Sequence, residues 1–171
     1  MNDLICELVK EDDPFLRETP ETFNFDNPQV DSEKLVDQLF ANMIHHNGVG
    51  LSANQIGIPV SVFAMRMDEH ALVVFNTEIL EWSEETTYMK EGCLSFPGLW
   101  VAIERAKSVA VKFQVFDGEE QAGSMIDLSA RIFQHESEQM DGDIFIDNVS
   151  SFRLKSAMKK RKQFLKKMDR R

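Results

Sequence analysis

Three short segments hold the residues with chemistry to offer: GVGLSANQ (48–55), EGCLSFPG (91–98) and QHESEQMDG (134–142). In the third, His135 and Gln139 stand four residues apart and so share one face of a helix, with Glu136 beside them. In the HExxH pattern two histidines at that spacing grip a metal while the glutamate activates its water. Glutamine at 139 breaks the zincin form of that pattern, and a histidine at the core edge of a helix is also an ordinary hydrogen-bonded core residue. Cys93, between Gly92 and Leu94, suits a metal thiolate, a nucleophile or a small buried hydrophobe. Gly48 and Gly50 suit either a backbone that something approaches closely or a loop that merely turns the chain, and Gln55 adds a hydrogen-bond donor. The GxGxxA spacing here follows a helical pattern, whereas a dinucleotide fingerprint follows a strand and opens a helix, so the Rossmann reading is rejected.

These segments need elements to position them. Residues 10–30 hold three of the five prolines and predict an extended lead-in. In DSEKLVDQLFANMIHHNG, Leu35, Val36, Leu39, Phe40, Met43 and Ile44 recur at three- and four-residue spacing, which predicts an amphipathic helix capped by Asp31 or Ser32. Strand-like runs follow at 60–65, 71–76 and 108–116, the last with Val109, Val111, Phe113 and Val115 on one face, and Asp117-Gly118 reads as a hairpin turn. A second helix over about 126–140 puts Leu128, Ile132, His135 and Gln139 on one stripe, with a stop at Asp141-Gly142. A last helix, about 150–168, sets Leu154, Met158, Leu165 and Met168 on one side and a basic cluster elsewhere. The order predicts a single-domain α+β fold of antiparallel strands around the His135 helix, with a C-terminal helix added. The division expected is a body over 1–151 and a basic amphipathic helix over 152–171.

Length and charge narrow the function. A chain of 171 residues and 19.7 kDa supports one core. Its net charge of −10 hides a split: residues 152–171 hold ten Lys/Arg and one acid, leaving nine basic and 28 acidic groups on the rest. So acidic a body does not wrap nucleic acid, and only the tail is fitted to touch it. Two cysteines make no disulfide framework, the N-terminus lacks a secretory pattern, and no apolar run approaches the ~20 residues that span a bilayer. A soluble cytoplasmic protein, with neither membrane nor DNA as partner, is the expectation.

Taken together, the three segments resemble the peptide deformylase family, whose members carry GxGLAAxQ, EGCLS and HExDH in this order and at these intervals. DDPFLR (12–17), Arg105 and DGDIFIDNVSSFRLK (141–155) are similar to the family's surrounding stretches, so the resemblance covers nearly the whole chain. It implies hydrolysis of the N-formyl group from formyl-methionine at the start of nascent polypeptides, with release of formate. The implied cofactor is one divalent metal ion, Fe²⁺ in many relatives with Zn²⁺ or Ni²⁺ as substitutes, held by Cys93, His135 and position 139. Glu136 would accept the proton of the attacking water, and the Gln55 amide and Leu94 N–H would face the oxyanion. The peptide would lie extended along Val49, Gly50 and Gly92, its methionine side chain among Val49, Met89, Leu128 and Ile132. The basic C-terminal helix resembles one that bacterial members use near the ribosomal exit tunnel; packing of its apolar side on the body is the plainer alternative.

Two positions depart from the family pattern. Gln139 stands where a second histidine ligand is usual, and Glu138 where aspartate is. An amide oxygen is a weaker donor than imidazole, so a weakened metal site with reduced activity is expected. Alternatives are a catalytically inactive deformylase-fold module that binds peptide N-termini or the ribosome, and a thiol hydrolase with Cys93 as nucleophile and His135 as base. For that last chemistry the sequence names no orienting group. His45 or His46 would be the substitute metal ligand.

Overall fold

Leu35, Leu39 and Met43 lie on one stripe of the first helix, α1 (Ser32–His45), and all three are buried. Asp31 caps it, its carboxylate accepting from the Lys34 N–H at 2.8 Å. Val36 and Phe40 are partly buried against the same core, but Ile44 at the last turn is 71% exposed. The protein is described by a computed structural model over residues 4–67 and 70–168, the Met168 side chain excepted.

Beyond α1 come β1 (Gly50–Ser52), a 3₁₀ turn over Ala53–Ile56, β2 (Val62–Met67) and β3 (His70–Trp82). A ribbon of β4 (Thr86–Glu91) and β5 (Val101–Ala106) follows, then β6 (Ser108–Gln114), β7 (Glu120–Ile126), α2 (Asp127–Met140) and α3 (Ser151–Met168). Five strands form an antiparallel sheet in the order β1-β2-β3-β6-β7, and β4 pairs with β5 alone. Helix α2 packs on β1, β2 and β7, and Phe133 meets Phe63 edge-on at 5.2 Å between ring centres. Such a pair contributes about 0.5–1.5 kcal/mol beyond the area it buries. This is the α+β architecture expected, with antiparallel strands around the His135 helix and a C-terminal helix.

The alternation in β6 is real: Val109, Val111 and Phe113 are buried, and Val115 is partly so. The Asp117-Gly118 turn joins β6 to β7, with Gly118 at φ +86°. The hairpin turn calls for a return strand, yet β7 shows no apolar pattern of its own, since within EQAGSMI only Met125 is buried.

Helix α3 corrects the expected face. Met158 and Leu165 are 45% and 37% exposed, whereas Ala157 and Arg161 are buried and Leu154 is half-buried; Met168 falls outside the described side chains. Two local causes act together. Ala157 is small enough to let the helix approach β5, and the Arg161 stem lies inward so that its Nε donates to the Pro97 carbonyl at 2.9 Å. Its guanidinium also pairs with Glu11 at 2.6 Å. The Phe164 ring then covers Gly98, where an added Cβ would stand 2.8 Å from the ring. The helix is thereby keyed to the loop that follows Cys93. Among the described residues no helix is long and apolar enough to cross a membrane.

Candidate active site

Four elements converge on one open cavity of about 580 Å³. The α1–β1 loop and β1 bring Gly48, Val49 and Gly50; the 3₁₀ turn brings Gln55; β4 brings Met89 and Glu91, and the loop after it Gly92, Cys93 and Leu94; and α2 brings Leu128, Ile132, His135 and Glu136. Val49, Met89 and Leu128 are about half exposed at its mouth, while Gln55, Cys93, Ile132, His135 and Glu136 are buried at its floor. Gln139 is 1% exposed and lies behind the floor, so it does not line the cavity.

The floor is tightly tied. Gln55 accepts from the Ser52 N–H and hydroxyl through Oε1, and donates through Nε2 to Cys93 Sγ and Ser95 Oγ, both at 3.2 Å. Gln139 Nε2 donates to Cys93 Sγ at 3.4 Å. The Leu94 N–H donates to no acceptor among the described residues. Gly50 is needed where it stands: a Cβ there would lie 2.3 Å from Glu136 Oε1. Glu136 Oε2 is buried without a partner among the described residues, and burial pushes this carboxyl up to about 7 although His135 opposes the shift.

Glu91 and Arg131 do not stand out in the sequence, yet they organise the floor from behind. Glu91 Oε2 lies 3.0 Å from His135 Nδ1, and Arg105 holds the same carboxylate through Nε at 2.7 Å and Nη2 at 2.9 Å. Arg131 contacts Glu91 as well, and donates to the Thr87 carbonyl at 2.7 Å and the Ile103 carbonyl at 3.2 Å. Arg105 reaches on to Glu138, so glutamate in place of aspartate still closes this ion pair, at 2.8 Å. Burial opposes ionisation of Glu91, but His135 and Arg105 overcome it and hold the carboxyl down at about 2. The one clue in the sequence was the glutamate that opens EGCLS.

The donor set decides whether a metal fits. Burial disfavours charge on His135, yet the Cys93 sulfur and the Glu91 carboxylate outweigh it and raise the imidazole to about 10. A field that holds a proton so firmly on the imidazole favours a cation, and bound metal competes with that proton for the ring. Gln139 Oε1 is buried without a partner among the described residues. Turning that amide over would place the oxygen beside the sulfur, an arrangement satisfied by a cation between them. The residues therefore fit a divalent ion held by two strong donors and one weak one. Among the described residues no three His, Cys, Asp or Glu side chains form such a group. His46 does not make up the deficit: its Nε2 lies 3.2 Å from the Cys6 carbonyl, and its ring meets that of His45 edge-on.

A buried thiol, imidazole and carboxylate at the floor of one open groove in an α+β domain define a hydrolase class of site. The chain belongs to the polypeptide deformylase family, which it matches over residues 5–155. It is 37% identical over 161 residues to a peptide deformylase of Bartonella henselae, covering 91% of this chain and 90% of that one. The crystal structure of peptide deformylase from Thermotoga maritima superposes with a TM-score of 0.80 at 37% identity, covering 85% of this chain and 98% of that one. A Met-Ala-Ser-bound class I type b peptide deformylase from Acinetobacter baumannii gives a TM-score of 0.78 at 29% identity, covering 85% and 98%.

Proposed function

We propose that this chain hydrolyses the formyl group from formyl-methionine at the N-termini of nascent polypeptides, releasing formate. The observation that carries the reading is the convergence of Cys93, His135, Glu136 and Gln55 at the floor of one groove. The Met-Ala-Ser peptide bound by the Acinetobacter relative has the form of the expected product. Cys93, His135 and the Gln139 amide oxygen would hold the divalent ion. Such an ion, when bound, supplies a water acidic enough to attack at neutral pH.

The chain's own residues do the rest. Glu136 accepts the proton of the attacking water and returns it to the departing amine. The free Leu94 N–H faces the carbonyl oxygen, and the Gln55 amide turns one hydrogen from Ser95 Oγ toward it; each such donor is worth about 3–4 kcal/mol in the transition state. The peptide backbone lies along Val49, Gly50 and Gly92, with the methionine side chain among Val49, Met89, Leu128 and Ile132. With glutamine as third ligand, metal affinity and turnover fall below those of a two-histidine site. Metal content and formate release from formyl-Met-Ala-Ser, with Fe²⁺, Zn²⁺ or Ni²⁺ added, test this. No release at any metal load overturns the enzyme in favour of an N-terminus-binding module.

One observation favours a second reading. Glu91 on His135 Nδ1 is the orienting group that a Cys93 thiol hydrolase needs. Turnover that survives chelation but not alkylation of Cys93 would select it. The exposed Lys155, Lys159, Lys162 and Lys166 of α3 are the surface we assign to ribosomal RNA. Co-sedimentation of a Lys159→Glu/Lys162→Glu variant tests this better than truncation, since Arg161 and Phe164 support the Pro97–Gly98 loop.

A further inference from the structure

A second cavity, of about 610 Å³, lies between α3 and the loop into β5. Its walls share Lys90, Gly98 and Trp100 with the active-site groove, so the two depressions are neighbours. The Trp100 indole bridges them: it lies 3.3 Å from where a Cβ of Gly92 would be, yet the residue is 62% exposed. On the far side, Phe152 is 81% and Phe164 49% exposed, an apolar floor left open among the described residues. Such exposed aromatic surface rimmed by polar groups marks an interaction site.

The charges on this floor are of one sign. Among the described residues Lys90, Arg153, Lys160 and Arg161 line the second cavity and no acid does, although the body as a whole is strongly acidic. Arg161 is committed to Glu11 and Pro97, and Arg153 lies 4.9 Å over the Tyr88 ring. Lys90 and Lys160 have no ion-pair partner among the described residues.

We infer that this second cavity is a downstream subsite of the peptide track, selective for substrates with acidic side chains beyond the third residue. The inference rests on the deformylase reading. A chain extended from Cys93 over Trp100 gains an aromatic floor and meets ammonium groups on the way. Peptide is favoured over RNA as occupant because the cavity adjoins, through Lys90, Gly98 and Trp100, the groove proposed to hold the peptide N-terminus.

The test uses the full-length protein and C-terminally amidated peptides, so that only side chains carry negative charge. Formyl-Met-Ala-Ser is compared with hexapeptides bearing Asp or Asn at positions four to six. The expected result is a KM about fivefold lower for the Asp hexapeptide than for the Asn one, with kcat unchanged, as two exposed charge pairs would give. Lys160→Glu with Phe152→Ser should erase that difference and leave the tripeptide reaction unaltered. Equal KM values for Asp and Asn hexapeptides overturn the subsite. So does a loss of RNA binding in that variant with the peptide preference intact. Anisotropy of labelled, unformylated hexapeptides reads the same preference without turnover, so a failure of catalysis is distinguished from a failure of the subsite.

Discussion

The carboxylate of Glu91 stands between His135 Nδ1, at 3.0 Å, and the guanidinium of Arg105, at 2.7 Å. The bond at Nδ1 fixes the ring, so Glu91 sets how the imidazole presents its other nitrogen. Glu91→Gln keeps the shape and removes the charge. Metal affinity should fall by about 10–100-fold, measured by chelator competition. Folding stability should fall by about 3–5 kcal/mol, because Arg105 and Arg131 lose a buried counter-charge. Glu138→Gln is the control: that carboxylate is 31% exposed, and its loss leaves Arg105 paired to Glu91, so affinity should change little.

Gln139→His asks whether the third ligand limits the site. The side chain is 1% exposed with an unpartnered Oε1, so an imidazole of similar size replaces it without breaking an oxygen-accepted hydrogen bond. Affinity for Zn²⁺ or Fe²⁺ should rise at least about tenfold, and formate release with it. Calorimetric melting with graded metal reads the affinity independently of turnover, since a tighter ligand raises the melting temperature at fixed concentration. Unchanged melting would show that position 139 does not face the ion.

The sequence made α1, α2 and β6 legible because each buries a face at the period of its own backbone. Leu35, Leu39 and Met43 repeat every three to four residues, and Val109, Val111 and Phe113 every two. Strands β4 and β5 carried no such pattern, since Tyr88 and Met89 of that ribbon are about half exposed. The same limit hid the organisation of the site. His135, Glu136 and Cys93 announced themselves by residue type and spacing. Glu91 gained its role only when Arg105 from β5 and Arg131 from α2 were folded onto it. The face of α3 was misread because an arginine, Arg161, does the packing expected of Met158.

Gly50→Ala tests the close approach of Glu136. Gly50 pairs with Met65 across the β1–β2 ladder, and a methyl group there does not touch that pairing. It would meet Glu136 Oε1 at 2.3 Å and Ile132 at 3.0 Å, so the carboxylate must swing away. Misplacing a reacting group by about 1 Å costs on the order of 100-fold. The expectation is a kcat loss of about that size with an unchanged circular dichroism spectrum; a kcat near wild type would show that Glu136 is not the proton acceptor.

Protonation of Glu136 gives the site its pH dependence. Burial lifts the carboxyl to about 7 from an ordinary value of 4.5. Only the ionised form accepts a proton, so kcat/KM should climb about tenfold per pH unit below 7 and level off above it. Stability runs the opposite way. The unfolded chain releases this proton near 4.5 while the native state keeps it to about 7, so the contribution is complete below 4.5 and lost as pH rises through 7. Glu136→Gln, neutral at every pH, should therefore gain stability relative to the wild type across that window, measured by urea denaturation at pH 4.5, 6 and 8. A constant difference between the two proteins would mean that Glu136 titrates at its ordinary value. The rise in rate would then belong to another group.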